Sequence, residues 1–156
     1  MKRNLLPTAF LTFFAAAFLS TTATAQGATG ACSFLRAAGI YGFSDSGTIV
    51  GIGPRAAVGS LTFDAAGNII GKVTASLSGS VSNTNLSGTY SVNPNCTGTA
   101  TFSESDQSGN LILTATVQVV WDDGMREARF LFTSVKLSDG TPLATVVNGD
   151  ARKLVP

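Results

Sequence analysis

The feature that most constrains this chain is a two-residue alternation of apolar and polar side chains, which begins at Gly39 and recurs through the rest of the sequence. Successive side chains of a β-strand point to opposite faces of the sheet, so the alternation predicts strands with one buried and one solvated face. No long window shows the 3.6-residue apolar period of an amphipathic helix. The pattern therefore predicts an all-β fold.

Short turn sequences separate the alternating segments. Asp122-Asp123-Gly124 and Asp139-Gly140 contain Asp-Gly, a strong hairpin signal. Asn93-Pro94-Asn95 separates another pair of strands, because proline cannot donate to a β-ladder. We interpret the glycine-rich segment from Gly47 to Gly53 as a hairpin loop. Sequential strands joined in this way form an antiparallel up-and-down meander.

An open meander has two unpaired edges, and closure into a barrel removes both. We therefore expect a closed barrel of about eight strands. The alternative is a two-layer β-sandwich, which would bury the apolar face of each sheet against the other.

The N-terminal residues have the three parts of an export signal. Lys2 and Arg3 give a positive start, an apolar segment covers 5–19, and Ala23-Thr24-Ala25 matches the site that signal peptidase accepts. The apolar segment has about 15 residues, whereas a bilayer span needs roughly 20. We therefore expect a cleaved signal peptide at 1–25 rather than a membrane anchor.

The export signal predicts the organisation and location of the remaining chain. We expect a leader segment at 26–38, tied down by Cys32, and a single β-domain at 39–156. The mature protein would be secreted or periplasmic, without a membrane span. The sequence does not indicate its oligomeric state.

Two cysteines, Cys32 and Cys96, lie beyond the predicted cleavage site. Export delivers them to an oxidising compartment, where two thiols in one small domain usually pair. The chain has no histidine to activate a thiol and no C-x-x-C spacing. We therefore predict a structural disulfide between Cys32 and Cys96.

The composition excludes several functional classes. Without Lys2 and Arg3, eight basic residues face nine acidic ones, and no basic cluster is present to neutralise nucleic-acid phosphates. The absence of histidine removes Ser-His-Asp and Cys-His nucleophiles and most transition-metal sites. We assign no catalytic residue, metal site or cofactor.

The carboxylates do not change this interpretation. Glu104 and Asp106 lie in a polar stretch from Ser103 to Asn110, and Asp122 and Asp123 lie in a tight turn. Each group offers too few oxygen ligands for a calcium site. We interpret both as solvated turns.

The segment Gly88-Thr89-Tyr90, followed by Asn95-Cys96-Thr97-Gly98-Thr99, resembles a group of small exported bacterial proteins of unknown function. The upstream segment 57–68 shares this resemblance, which extends over about residues 39–137. It implies a bacterial source and an exported β-domain, and no activity. At the level of architecture the chain also resembles calycin-like and allene-oxide-cyclase-like barrels, from which no site residue is carried over.

Aromatic side chains give the one positive indication of a ligand. If the strands close, seven rings should point mainly into the barrel, where they would either line a pocket for a small apolar molecule or fill the core. These residues are Tyr41, Phe63, Tyr90, Phe102, Trp121, Phe130 and Phe132.

These observations favour an exported, non-catalytic barrel that binds a small apolar molecule. The first alternative is a structural or interaction protein of the cell envelope, whose partner would be an envelope protein. The second is a cofactor-free enzyme that confines its substrate in an apolar cavity. A buried Asn, Glu or Arg among the rings would favour the enzyme, and the alternation alone does not place one there.

Overall fold

The alternating segments form eight β-strands in the computed structural model, which describes residues 32–154. The strands are β1 (Gly39–Ile49), β2 (Gly53–Phe63), β3 (Asn68–Leu77), β4 (Ser80–Tyr90), β5 (Thr97–Ser105), β6 (Leu111–Asp122), β7 (Glu127–Leu137) and β8 (Thr145–Lys153). A short helix, α1 (Phe34–Ala37), precedes β1, and a 3₁₀ turn (Asp123–Met125) joins β6 to β7. The predicted all-β class is confirmed.

The strands form a closed antiparallel barrel in sequence order. Strands β1 and β2 pair continuously from Gly39 opposite Phe63 to Ile49 opposite Gly53. Strand β8 then closes on β1, with Tyr41 opposite Lys153. The up-and-down barrel is confirmed, and the alternative sandwich is not formed.

The two ends of the barrel differ. At one end, here called the closed end, α1 packs into the barrel and buries Ala37. A disulfide joins Cys32, just before α1, to Cys96 in the turn between β4 and β5, as predicted. The predicted signal peptide at 1–25 lies outside the described residues. None of the described helices has the length and apolar character of a membrane span.

Hydrogen bonds hold the closed end together. The Tyr41 hydroxyl lies 2.9 Å from the Ala37 carbonyl oxygen and 2.7 Å from that of Met125, so its one proton is shared between α1 and the 3₁₀ turn. Lys153 Nζ donates to the Arg36 carbonyl oxygen at 2.7 Å. The segment before β1 is therefore attached to both β8 and the β6–β7 turn.

The opposite, open end corrects one sequence-based interpretation. Gly47 and Ile49 belong to β1 and pair with both β2 and β8, so only 50–52 form the loop. The glycine at 47 meets a steric demand, because a Cβ there would collide with the Val146 carbonyl oxygen of β8. Its presence reflects a close approach of two backbones rather than a turn.

Two irregularities interrupt the wall. Strand β7 has one extra residue, Thr133, opposite the step from Thr116 to Val117 in β6. In addition, the β7–β8 ladder ends at Leu131 opposite Asn148. Beyond that pair, the described part of β7 bonds instead to the segment before β8, with Leu143 N–H donating to the Val135 carbonyl oxygen at 2.8 Å.

Candidate functional site

Aromatic rings fill the barrel next to the closed end. Phe63 meets Tyr41 and Tyr90 edge to face, with ring centroids 5.1 and 4.9 Å apart, and Trp121 packs 6.4 Å from Phe63. Edge-to-face contacts of this kind favour a rigid, fully packed layer. The Tyr90 hydroxyl also donates to the Asp64 carbonyl oxygen at 2.6 Å, and burial raises the pKa of Tyr90 to about 12. This aromatic layer fills the lumen next to the closed end.

A small inner cavity of about 40 Å³ lies on the side of this layer that faces the open end. Two glycines make room for its rings: a Cβ on Gly59 would lie 2.6 Å from the Phe43 ring, and one on Gly149 would lie 2.6 Å from the Phe130 ring. Each ring thus covers a glycine on the neighbouring strand. The other lining residues include Phe63, Phe102, Phe132, Leu61, Ile69, Val73, Leu86, Val117 and Val119.

A larger cavity of about 150 Å³, here called the mouth cavity, lies at the open end. Most of its lining side chains are aliphatic, and it lies beside the segment in which β7 and β8 are not paired. It is lined by Ile49, Ile52, Leu77, Ile112, Leu113, Phe132, Val135, Leu137, Leu143, Thr145 and Val147, together with Arg55 and Glu104. Because Arg55, Glu104 and Phe132 line both cavities, they form the boundary between them.

A buried ionic cluster of Asp45, Arg55 and Glu104 stands at this boundary. Arg55 makes a two-pronged ion pair with Asp45, with Nε–Oδ1 at 3.1 Å and Nη2–Oδ2 at 3.3 Å. The Arg55 Nη2 also lies 3.8 Å from Glu104 Oε1. Thr84 Oγ1 donates to Glu104 Oε2 at 2.9 Å. Two neighbouring strands, β1 and β2, and a third strand across the lumen, β5, therefore contribute charged groups to one point.

The cluster is charged in a largely apolar interior. The side chains of Asp45 and Glu104 are 2% and 4% exposed. Burial raises the pKa of Glu104, and the nearby Asp45 carboxylate adds to this rise, whereas Arg55 and the Thr84 hydrogen bond oppose it. The Arg55 guanidinium also stacks 6.0 Å from the Phe132 ring centroid. A carboxyl group that has a raised pKa and lies beside a cavity marks a candidate functional site.

The structure distributes the seven predicted ring residues over two levels. Four of them, Phe63, Phe102, Phe130 and Phe132, line the inner cavity. The other three, Tyr41, Tyr90 and Trp121, belong to the packed core near the closed end. Among the described side chains, the buried Trp121 Nε1 has no hydrogen-bond partner.

The interpretation of Glu104 as part of a solvated turn was wrong. Glu104 lies in β5 and points inward, whereas Asp106 does lie in an exposed turn. There Asp106 accepts hydrogen bonds from Asn110 and Ser108, which lower its pKa. The sequence signal that was missed is the two-residue alternation of β5, because Glu104 falls on the same inward-facing positions as Ala100 and Phe102.

The same alternation of inward and outward positions identifies the other two residues of the ionic cluster. Asp45 follows Tyr41 and Phe43 on the inner face of β1, and Arg55 precedes Ala57 on that of β2. Within residues 32–154, no group of three or more His, Cys, Asp or Glu side chains is arranged to hold a metal ion. The arrangement is therefore that of an apolar site with one charged edge.

Comparison with solved structures places this barrel among others of the same architecture. The structure of EF1p2_mFAP2b bound to DFHBI is similar with a TM-score of 0.58 and 9% identity, covering 80% of this chain and 99% of that one. A redesigned β-barrel, mFAP1, bound to DFHBI, gives 0.53 and 12%, covering 78% and 98%. Another redesigned β-barrel gives 0.51 and 14%, covering 80% and 100%. No protein-family model and no curated protein matches the sequence.

These identities are low, so the likeness shows the fold alone. The eight-stranded up-and-down barrel architecture expected from the sequence is confirmed. Membership of the exported bacterial group that shares the Gly-Thr-Tyr segment stays a prediction.

Proposed function

We propose that this protein is an exported, non-catalytic barrel that binds a small apolar molecule through its open end. The observation that carries the proposal is the mouth cavity of about 150 Å³, which is lined by aliphatic side chains and leads towards the inner cavity. An apolar cavity of about this size, in a different protein, stays dry and binds benzene. A pocket lined mainly by apolar groups with a few polar ones is typical of small-molecule sites.

Three further features support binding at this place. The closed end is filled by α1 and the aromatic layer, so a ligand would enter from the open end. One of the predicted rings, Phe132, lines the mouth cavity, and three more, Phe63, Phe102 and Phe130, line the adjoining inner cavity. Two solved barrels of similar architecture are bound to DFHBI, which is consistent with this use of the fold.

Export is the second part of the proposal. The predicted signal at 1–25 and the Cys32–Cys96 disulfide both suit a secreted or periplasmic protein. Intact-mass measurement of protein recovered from the periplasm of an expressing bacterium should give a chain that begins at Gln26. A chain that retains Met1 would contradict the predicted cleaved signal peptide.

Ligand binding is tested with toluene, an uncharged one-ring probe. In a titration followed by methyl NMR, we expect shifts in the signals of Val135 and Val147, which line the mouth cavity. The variant Leu113→Phe should fill that cavity and weaken toluene binding by roughly tenfold, since each 1.4 kcal/mol of lost contact is tenfold in affinity.

The matched control is Leu131→Phe. Leu131 lies on the outer face of β7 and is 50% exposed, so this change adds the same ring outside the barrel and should leave binding unchanged. If toluene shifts no lumen signals in the wild-type protein, binding is contradicted. That result would favour the envelope-interaction alternative.

A cofactor-free enzyme is the second candidate, and the buried ionic cluster specifically favours it. A carboxylic acid with a raised pKa beside a cavity is able to transfer protons to a confined substrate. This candidate predicts that a molecule bound by the wild-type protein is released chemically changed, and that Glu104→Gln abolishes the change. Mass spectrometry of the released molecule distinguishes conversion from simple binding.

A further inference from the structure

The ionic cluster contains more acidic than basic groups. Among the described residues that line the two cavities, Asp45, Arg55 and Glu104 are the ones that ionise. Asp45 engages both the Nε and the Nη2 of Arg55. Glu104 is therefore a second acid beside a guanidinium that already has a partner.

The Glu104 carboxyl group is incompletely satisfied on the side of Arg55. Thr84 donates to Oε2, but Oε1 lies 3.8 Å from Arg55 Nη2, which is longer than a hydrogen bond. A buried carboxylate that no cation hydrogen-bonds is costly, because burial removes its hydration. A ligand that supplies a positive donor at this point would remove that cost.

We propose that the site selects small apolar molecules with a cationic amine head and discriminates against carboxylic acids of the same size. This inference rests on the proposed binding function and names its ligand class. The amine would form a charge-assisted hydrogen bond with Glu104 while its apolar body occupies the mouth cavity. A carboxylate ligand would instead be a third acid beside a single guanidinium.

Three probes with the same ring and different head groups test this preference: benzylamine, benzyl alcohol and benzoate. Each is titrated at neutral pH and low salt into protein recovered from the periplasm, and binding is followed by methyl NMR. We expect benzylamine to bind at least roughly tenfold more tightly than benzoate, with benzyl alcohol between them.

A conservative variant identifies the responsible group. Glu104→Gln keeps the size of the side chain and a partner for Thr84, so it should lower the affinity for benzylamine to that for benzyl alcohol. The control, Glu127→Gln, removes a carboxylate at the closed end that pairs with Arg152, and it should leave all three affinities unchanged.

The outcomes separate the two proposals. Equal affinities for the three probes, or tighter binding of benzoate, would overturn the amine preference while leaving the binding function in place. Failure of all three probes to bind while toluene still binds would overturn the preference alone, and failure of toluene as well would overturn both. The wild-type ranking alone decides the preference, even if Glu104→Gln does not fold.

Discussion

At the scale of single residues, the unusual feature of this barrel is a charged group placed where a core residue would be expected. Glu104 occupies an inward position of β5, with Leu86 and Leu113 opposite it on the two neighbouring strands. Replacing a buried ion pair with apolar side chains often stabilises a protein, so such groups are weak evidence for stability. Their presence beside a cavity is better explained by recognition.

Glu104 should make the stability of the fold depend on pH. Burial raises its pKa above the ordinary value of 4.5, so between pH 4.5 and the folded-state pKa the folded protein holds a proton that the unfolded chain has lost. The groups that face it, Asp45, Arg55 and Thr84, modify this shift without reversing it. The contribution of Glu104 is therefore most favourable below pH 4.5 and is lost as pH rises from there through the folded pKa.

Urea unfolding of the wild type and Glu104→Gln measures this effect. The free energy of unfolding of Glu104→Gln should rise relative to that of the wild type between pH 4.5 and neutral pH. Differences between the two proteins isolate this group, because all other carboxylates are common to both. Parallel pH profiles would contradict the assignment.

The residue scale also shows what the sequence was able to predict. Period-two alternation places Phe102 and Glu104 on the same face of β5, so an inward Glu104 was accessible from parity alone. Its encounter with Arg55 was not, because β2 and β5 are not neighbours and meet only through the lumen of a closed barrel. The extra residue Thr133 likewise changes the parity of β7, which no alternation rule predicts.

At the scale of elements, α1 acts as a plug that is too short to be stable alone. Its four residues fall well below the roughly 12–15 that an isolated helix needs. Its Ser33 N-cap, the shared Tyr41 proton and the Cys32–Cys96 disulfide hold it in the closed end. Tertiary contacts, rather than helix propensity, therefore determine this element.

Removal of the disulfide should destabilise the protein substantially. The bond joins cysteines separated by 64 residues, and a loop of that length is worth about 4 kcal/mol in the chain-entropy model. The Cys32→Ser, Cys96→Ser double variant should therefore melt roughly 10–20 °C below the oxidised wild type in a calorimetric scan. Reduced wild type serves as the control and should melt with the double variant. Coincident melting of the oxidised and reduced wild type would exclude a stabilising role.

At the scale of the whole molecule, the barrel is asymmetric along its axis. The closed end combines the plug, the aromatic layer and the exposed ion pairs Arg126–Asp123, Arg129–Asp122 and Arg152–Glu127. The open end has the mouth cavity and the interrupted pairing of β7 with β8. The tightly packed part of the barrel and the entrance for a ligand therefore lie at opposite ends.

The interrupted pairing should be visible in hydrogen exchange. Amides in 132–134 and 144–147 that face the break lack ladder partners across it, so they should exchange faster than those of the continuous β1–β2 pairing. Exchange measured by NMR provides both sets in one sample. Equal protection of the two sets would show that the wall is closed along its full length. If a ligand enters at the break, binding of a probe such as toluene should slow exchange of the amides there.

The pairing of β8 with β1 also removes the last unpaired strand edge, through which unfinished chains are able to associate. The pairing of Tyr41 with Lys153 links opposite ends of the described chain, and contacts so distant in sequence make folding slow. Until they form, β1 exposes an unpaired edge on which another copy of the chain is able to add a strand. A chain delivered to its compartment N-terminus first would hold that edge open until its last strand arrives. Its vulnerable interval would therefore be determined by the speed of delivery rather than by the stability of the finished barrel.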